Sequence, residues 1–207
     1  TALSDGHLFQ FMGRYKPSGE SYFNYFDQVQ LLLASSDLQT SLLNVEGIPD
    51  IESYSDIQGI ALSDDTLALA LYNRSNDTTS LFSVDLNGRV LSGPYTLSGS
   101  PKLFSGGSSV KAWRSFYGNV EDLPGIQIET IDFKNPVSTS FIYGEHFNSD
   151  LKLFPVDAAS YAVQERISTG LWEYKDYLSL YSMDSGTPKW RTECTTSNTV
   201  IGVAAQN

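Results

Sequence analysis

Apolar and polar residues alternate with a period of two along much of the chain, the spacing that places successive side chains on opposite faces of a β-strand. In residues 66–72 the large side chains of Leu67, Leu69 and Leu71 alternate with smaller ones. No stretch keeps the 3.6-residue period of an amphipathic helix for long enough to form one. The pattern therefore predicts an all-β fold.

Four apolar, strand-like segments each end in an aspartate that is followed by a turn. The aspartates are Asp37, Asp85, Asp132 and Asp184, so consecutive spacings are 48, 47 and 52 residues (85−37, 132−85 and 184−132). One blade of a β-propeller is a four-stranded sheet of about 40 to 50 residues. The spacing thus predicts four copies of one blade-like unit.

Short connections with turn-forming residues follow three of these aspartates, and a new strand comes after each connection. Asn87 and Gly88 after Asp85 are an example, because Asn-Gly tolerates the positive φ of a tight hairpin. An aspartate at the head of such a turn can accept hydrogen bonds from backbone amides two residues further on. We therefore expect a hairpin in each unit and a structural role for the four aspartates.

The predicted architecture is a single β-propeller domain, residues 1–207, built of four-stranded antiparallel blades. The expected units are a first blade at 1–56, a second at 57–100, a third at 101–149, a fourth at 150–199, and a last strand at 200–207. That last strand either closes a four-bladed ring or begins the next blade of a larger propeller. The sequence favours neither arrangement.

Two segments resemble known propeller repeats. Residues 180–190 are similar to the strand-turn-strand signature of quinoprotein-type repeats, with an aspartate, a short spacer, a Gly-Thr pair in reversed order, and then Trp190. Residues 131–136 are similar to the Asp-x-x-Asn-Pro turn of another group of surface propeller repeats. The resemblance implies the fold alone, because one fold hosts many functions.

Charge and composition exclude several classes of partner. The formal net charge of −11 repels a phosphate backbone on average, so we expect no nucleic acid partner. The longest apolar run, residues 67–72, is far shorter than the roughly 20 residues that span a bilayer, so we expect no membrane insertion. With two histidines and the lone Cys194, the chain offers no zinc-type ligand spacing, and we expect no metal and no cofactor.

The sequence contains no recognised catalytic motif, which favours a non-catalytic function. The chain contains no Gly-x-Ser-x-Gly nucleophile motif and no phosphate-binding glycine loop. A glycosidase needs only two carboxylates, which an acidic chain can supply, although nothing in the sequence selects a pair. A carbohydrate-active enzyme with carboxylates in the central channel therefore stays an alternative.

Aromatic residues concentrate in the loops that join the second and third strands of the predicted units, and these loops should emerge on one face. Tyr, Trp and Arg anchor protein interfaces, and aromatic rings also stack against sugars. The alternative is that these rings plug the bases of the loops. The candidate residues for binding a protein or glycan partner are Arg14, Tyr15, Tyr22, Tyr25, Tyr117, Trp172, Glu173 and Tyr174.

Two adjacent glycosylation sequons, beginning at Asn73 and Asn76, lie in a polar loop. They favour an extracellular or cell-surface location. Together these features predict a non-catalytic binding or scaffolding propeller with an aromatic and acidic loop face. A structural segment of a larger surface assembly is the further alternative.

Overall fold

Strands account for nearly all of the regular structure in the part of the chain that the structure describes. A computed structural model describes residues 7–15, 25–37, 39–63, 65–105, 107–116, 125–133, 139–143, 152–157, 160–182 and 187–194. Within these ranges the only helical element is a short 3₁₀ turn, Ile51–Ser53. The prediction of an all-β fold is confirmed.

The strands are short and follow one another closely along the chain. In chain order they are β1 (Leu8–Tyr15), β2 (Phe26–Ala34), β3 (Thr40–Asn44), β4 (Asp56–Ala61), β5 (Thr66–Asn73), β6 (Thr78–Asp85), β7 (Val90–Ser98), β8 (Lys102–Ser105), β9 (Val110–Phe116), β10 (Gly125–Ile131), β11 (Thr139–Tyr143), β12 (Lys152–Asp157), β13 (Ser160–Gly170), β14 (Glu173–Ser182) and β15 (Pro188–Cys194).

Each sheet joins strands that are consecutive in the chain. The orders are β1-β2-β3, β4-β5-β6-β7, β11-β10-β9-β8 and β12-β13-β14-β15. Neighbouring strands pair antiparallel, for example β5 with β6 and β13 with β14. Each sheet is therefore an antiparallel meander, the arrangement that short turns between successive strands permit.

The chain divides into two compact units, which are described separately. Unit 1 comprises Thr1–Val110 and Asp132–Pro136, and unit 2 comprises Lys111–Ile131 and Val137–Asn207. In unit 1 the first two sheets pack on a shared hydrophobic core. Members of both sheets belong to it, including Phe11 and Leu31 from the first, and Leu69 and Phe82 from the second.

Strand β5 lies at the centre of unit 1 and is covered on both faces. Leu67, Leu69 and Leu71 are fully buried in the shared core, and the alternate residues Ala68 and Ala70 are buried on the other face. Large side chains on one face and small ones on the other allow close packing on both sides. The alternation in the sequence therefore marks an interior strand.

The turn after β6 has the chemistry expected from its sequence. The Asp85 Oδ1 atom accepts hydrogen bonds from the amides of Asn87 and Arg89, each at 2.9 Å. Gly88 has a φ of 80°, in the region that glycine adopts most readily. The predicted hairpin and the structural role of the aspartate are confirmed here.

The other repeat aspartates differ in their surroundings. The carboxylate of Asp37 accepts a hydrogen bond from the Ser35 hydroxyl. This bond and one from the Gln39 backbone lower the pKa of Asp37 below its usual value. Asp132 lines a cavity of unit 1 that is described below, and Asp184 lies outside the described residues.

The sheet formed by β12 to β15 lies in unit 2 and has a pair of buried aromatic rings. Tyr161 and Tyr181 are fully buried and stack with their centroids 5.4 Å apart. Burial raises the pKa of Tyr181, whose hydroxyl accepts a hydrogen bond from Arg191 at 3.3 Å. The β13–β14 hairpin extends from this pair, since its strands remain in register from Ser160 to Ser168.

Candidate functional site

Three of the predicted binding residues come together in unit 1, where β1 ends and β2 begins. The Arg14 guanidinium donates a hydrogen bond to Asp27 at 2.9 Å, which raises the pKa of the arginine. Tyr15 is 47% exposed, and its ring packs on Phe26 with the centroids 4.9 Å apart. Arg14 and Tyr15 are therefore held by neighbours, yet both still face solvent.

Tyr25 connects this cluster to the turn between β5 and β6. Its hydroxyl lies 3.2 Å from the Ser75 Oγ atom, within hydrogen-bond distance. The same turn is braced by the Tyr72 hydroxyl, which donates to Asp77 at 2.8 Å and has its pKa raised by that bond. The aromatic cluster thus adjoins the segment that contains both sequons.

The remaining described candidates form the tip of the β13–β14 hairpin in unit 2. Trp172 is 84% exposed and Tyr174 is 52% exposed, and Glu173 also faces solvent. Leu171, which the sequence reasoning did not single out, is 90% exposed. An exposed leucine beside an exposed tryptophan makes this the most apolar exposed turn in the described part of the chain.

The hairpin tip has a defined backbone. Gly170 pairs with Glu173, so Leu171 and Trp172 form the two-residue turn. Trp172 has a φ of 72°, in the left-handed region that glycine and asparagine adopt more readily than tryptophan. Below the turn, Lys175 pairs with Glu193 on β15 at 3.0 Å, which raises the pKa of the lysine. The two apolar side chains are therefore presented on a braced hairpin.

Two of the predicted binding residues, Tyr22 and Tyr117, lie outside the described residues. The structure brings Arg14, Tyr15 and Tyr25 together in unit 1, and it brings Trp172, Glu173 and Tyr174 together in unit 2. Leu171 could have been found from its position beside Trp172 in a turn.

The two sequon asparagines have different surroundings. Asn73 is only 9% exposed, and its Oδ1 atom accepts hydrogen bonds from the amides of Ser75 at 2.9 Å and Asn76 at 3.4 Å. Asn76 is exposed, and its Oδ1 atom accepts a hydrogen bond from the Thr78 hydroxyl at 2.6 Å. The Asn73 side chain thus stabilises the turn, whereas the Asn76 side chain is accessible.

We expect a chain passed through a eukaryotic secretory pathway to carry its glycan on Asn76. A glycan on Asn73 would disrupt the hydrogen bonds of a buried amide. Thr78→Ala removes the second sequon and should abolish the modification, whereas Ser75→Ala removes the first and should leave it unchanged. Intact mass and peptide mapping provide the measurement, and a glycan found on Asn73 would contradict the assignment.

Two structural features, a metal-binding cluster and a membrane-spanning helix, were sought within the described ranges. There, no group of three or more His, Cys, Asp or Glu side chains gathers to hold a metal ion. The same residues include no helix of the length and apolar character needed to cross a bilayer.

Unit 1 also contains a cavity that the sequence analysis did not predict. Its volume is about 460 Å³, and hydroxyl groups, two carboxylates and three large apolar side chains line it. The carboxylates belong to Asp65, in the β4–β5 turn, and to Asp132, for which the sequence predicted a structural role in a turn. No motif in the sequence connects Asp65 with Asp132, so their shared position in the cavity lining follows from the folded structure alone.

Comparison of the chain with protein-family models, with curated proteins and with solved structures gave no match in any of the three.

Proposed function

We propose that this chain is a non-catalytic binding protein whose β13–β14 hairpin inserts Leu171 and Trp172 into an apolar pocket of a protein partner. The observation that carries the proposal is the exposure of these two side chains, 90% and 84%. A tryptophan that becomes buried removes about 150 to 250 Å² from water, equivalent to about 4 to 6 kcal/mol of gross hydrophobic free energy. Binding would recover this free energy.

The backbone of the turn supports the same proposal. Trp172 holds a φ of 72°, at which a smaller residue would be less strained. Backbone strain of this kind concentrates at functional positions, where the required side chain outweighs its local cost. A tryptophan in a two-residue turn also loses little conformational freedom on binding, because the paired strands already position it.

The negative charge of this chain favours a partner whose binding surface is positively charged. The chain carries a net charge of −11, and Glu173 lies exposed beside the apolar tip. A partner whose pocket is bordered by lysine or arginine would be attracted to this acidic chain over about one Debye length, roughly 8 to 10 Å. We therefore propose a partner with a basic rim, and an extracellular or cell-surface location where the sequons would be used.

We further propose that the four meanders are consecutive blades of a β-propeller, either a closed four-bladed ring or part of a larger one. The support is that each sheet joins consecutive strands and that the repeat aspartates recur at about one blade length. Light scattering and small-angle X-ray scattering separate the two arrangements. A compact monomer indicates a closed ring, an open arc indicates a segment, and an extended chain of separate sheets would contradict both.

The binding proposal is tested with Trp172→Asn, because asparagine tolerates the left-handed φ and removes the indole. Immobilised wild-type and variant chains are exposed to secreted and surface proteins, and a protein retained by the wild type alone is purified. Its affinity, measured by calorimetry, should fall at least about 30-fold with the variant, equivalent to about 2 kcal/mol. The melting temperature should stay the same or rise.

Trp190→Ala is the matched control, since Trp190 is 44% exposed on β15 of the same sheet. It should change the affinity less than about twofold. A partner that binds the Trp172→Asn chain as tightly as the wild type would refute the proposal. So would the absence of any protein retained in preference by the wild type.

A further inference from the structure

The cavity in unit 1 has the polar groups of a small-molecule site, and they come from distant parts of the chain. Its lining includes Ser63 and Asp65 from the β4–β5 turn, Ser83 from β6, Ser92 from β7, and Asp132 from the residue after β10. The volume of about 460 Å³ falls within the range of about 300 to 1,000 Å³ that ligand pockets occupy. The hairpin proposed to bind protein lies in the other unit, so this inference is independent of that function.

One of the two carboxylates is fixed in orientation. The Asp65 Oδ1 atom accepts hydrogen bonds from the Ser63 hydroxyl at 2.7 Å and from the Thr66 hydroxyl at 3.0 Å. All three of these residues line the cavity. The rotamer of the carboxylate is therefore set by its neighbours, as it is in sites whose polar groups are preorganised for a ligand.

Two serine hydroxyls also line the cavity. Ser83 and Ser92 face each other as a cross-strand pair of β6 and β7. Ser83 is 5% exposed, and neither hydroxyl has a hydrogen-bond partner among the described residues. These two hydroxyls can each both donate to and accept from a molecule in the cavity.

Apolar side chains complete the lining. Leu62, Leu91 and Phe133 supply two aliphatic groups and one aromatic ring. A cavity with apolar walls and a few placed hydroxyl and carboxylate groups fits a molecule that has C–H faces and hydroxyl edges. Sugar rings have this chemistry, because their hydroxyls donate to carboxylates and their C–H faces pack on apolar side chains.

The charge of the lining narrows the choice of sugar. Among the described residues that line the cavity there are two carboxylates and no lysine or arginine, so this lining would repel an anionic sugar. Among the described residues, no third His, Cys, Asp or Glu joins the two carboxylates to complete a metal site. We propose that this cavity binds a neutral carbohydrate, through Asp65, Asp132 and the Ser83–Ser92 pair.

The test uses four neutral probes and one anionic probe on the full chain. The methyl glycosides of glucose, galactose and mannose, together with N-acetylglucosamine, are titrated to about 10 mM and followed by saturation-transfer NMR, alongside N-acetylneuraminic acid. At least one neutral probe should bind, and the anionic probe should not. Binding by none of the neutral probes, or preferential binding of the anionic sugar, would overturn the proposal.

Two variants locate the binding. Asp132→Asn and Ser92→Ala should each weaken the neutral probe about tenfold or more, because each changes one polar group of the cavity. Asp50→Asn is the charge-matched control on an exposed residue of the same unit, and it should leave the affinity unchanged. Thermal melting confirms that each variant is folded. Affinity that survives both cavity variants, or calcium binding at the cavity with all glycosides inert, would refute the assignment.

Discussion

Replacement of Phe82 with alanine is expected to lower the free energy of unfolding by about 3 to 5 kcal/mol. Phe82 is fully buried in β6 and lies opposite Leu69 of β5 in the shared core of unit 1. Because side chains from two sheets enclose the ring, its removal leaves a cavity that neither sheet can close alone. Chemical denaturation followed by circular dichroism measures the change.

Two controls separate the loss of packing from a general effect of substitution. Phe82→Leu keeps most of the apolar volume and should cost less than half as much as the alanine variant. Leu42→Ala removes a side chain that is 52% exposed on β3, and it should change the stability by no more than about 0.5 kcal/mol. If Phe82→Ala were as mild as Leu42→Ala, the two sheets would not share a core.

Gly13→Ala is expected to destabilise unit 1 by about 1 to 3 kcal/mol through overpacking, although alanine is ordinarily acceptable in a strand. A Cβ atom on Gly13 would lie 2.7 Å from the Cζ atom of Phe26 and closer still to two other ring atoms. Phe26 is only 1% exposed, so its ring has no solvent to move into. The same ring supports Tyr15, so the exposed cluster beside it should also be disturbed.

A double-mutant cycle identifies this clash as the cause. Phe26→Leu removes the ring atoms that approach Gly13, so it should cost less stability in the Gly13→Ala background than in the wild type. Gly170→Ala is the matched glycine control, since its nearest neighbour beyond the adjacent residues would be 3.6 Å away. Strict additivity of the two changes would mean that Gly13 and Phe26 do not make the contact described.

The features predicted correctly from sequence depend on short-range rules. The alternation of Leu67, Leu69 and Leu71 predicts a strand, because a side-chain period of two is a property of the extended backbone itself. The turn from Asp85 to Gly88 was equally predictable, because its hydrogen bonds and its positive φ involve residues that are adjacent in the chain. These rules operate whatever the rest of the molecule does.

The surfaces were predicted only in part. Composition placed Trp172 and Tyr174 in one loop, but the high exposure of Leu171 follows from the two-residue turn that Gly170 and Glu173 close. Likewise the two sequons are equivalent as motifs. Only the folded turn buries Asn73 and exposes Asn76, because the amide oxygen of Asn73 accepts the hydrogen bonds of that turn.

The sequence by itself determined that this protein is all-β, with short strands separated by turns. Tertiary structure alone decided which distant residues share their surroundings. Two sheets contribute to one core, and Asp65 and Asp132, which are 67 residues apart (132−65), line one cavity. The physical reason is the separation along the chain of the residues that interact. Strand period and turn chemistry depend on covalent neighbours, whereas burial and cavity lining depend on strand register and sheet packing, to which the whole chain contributes.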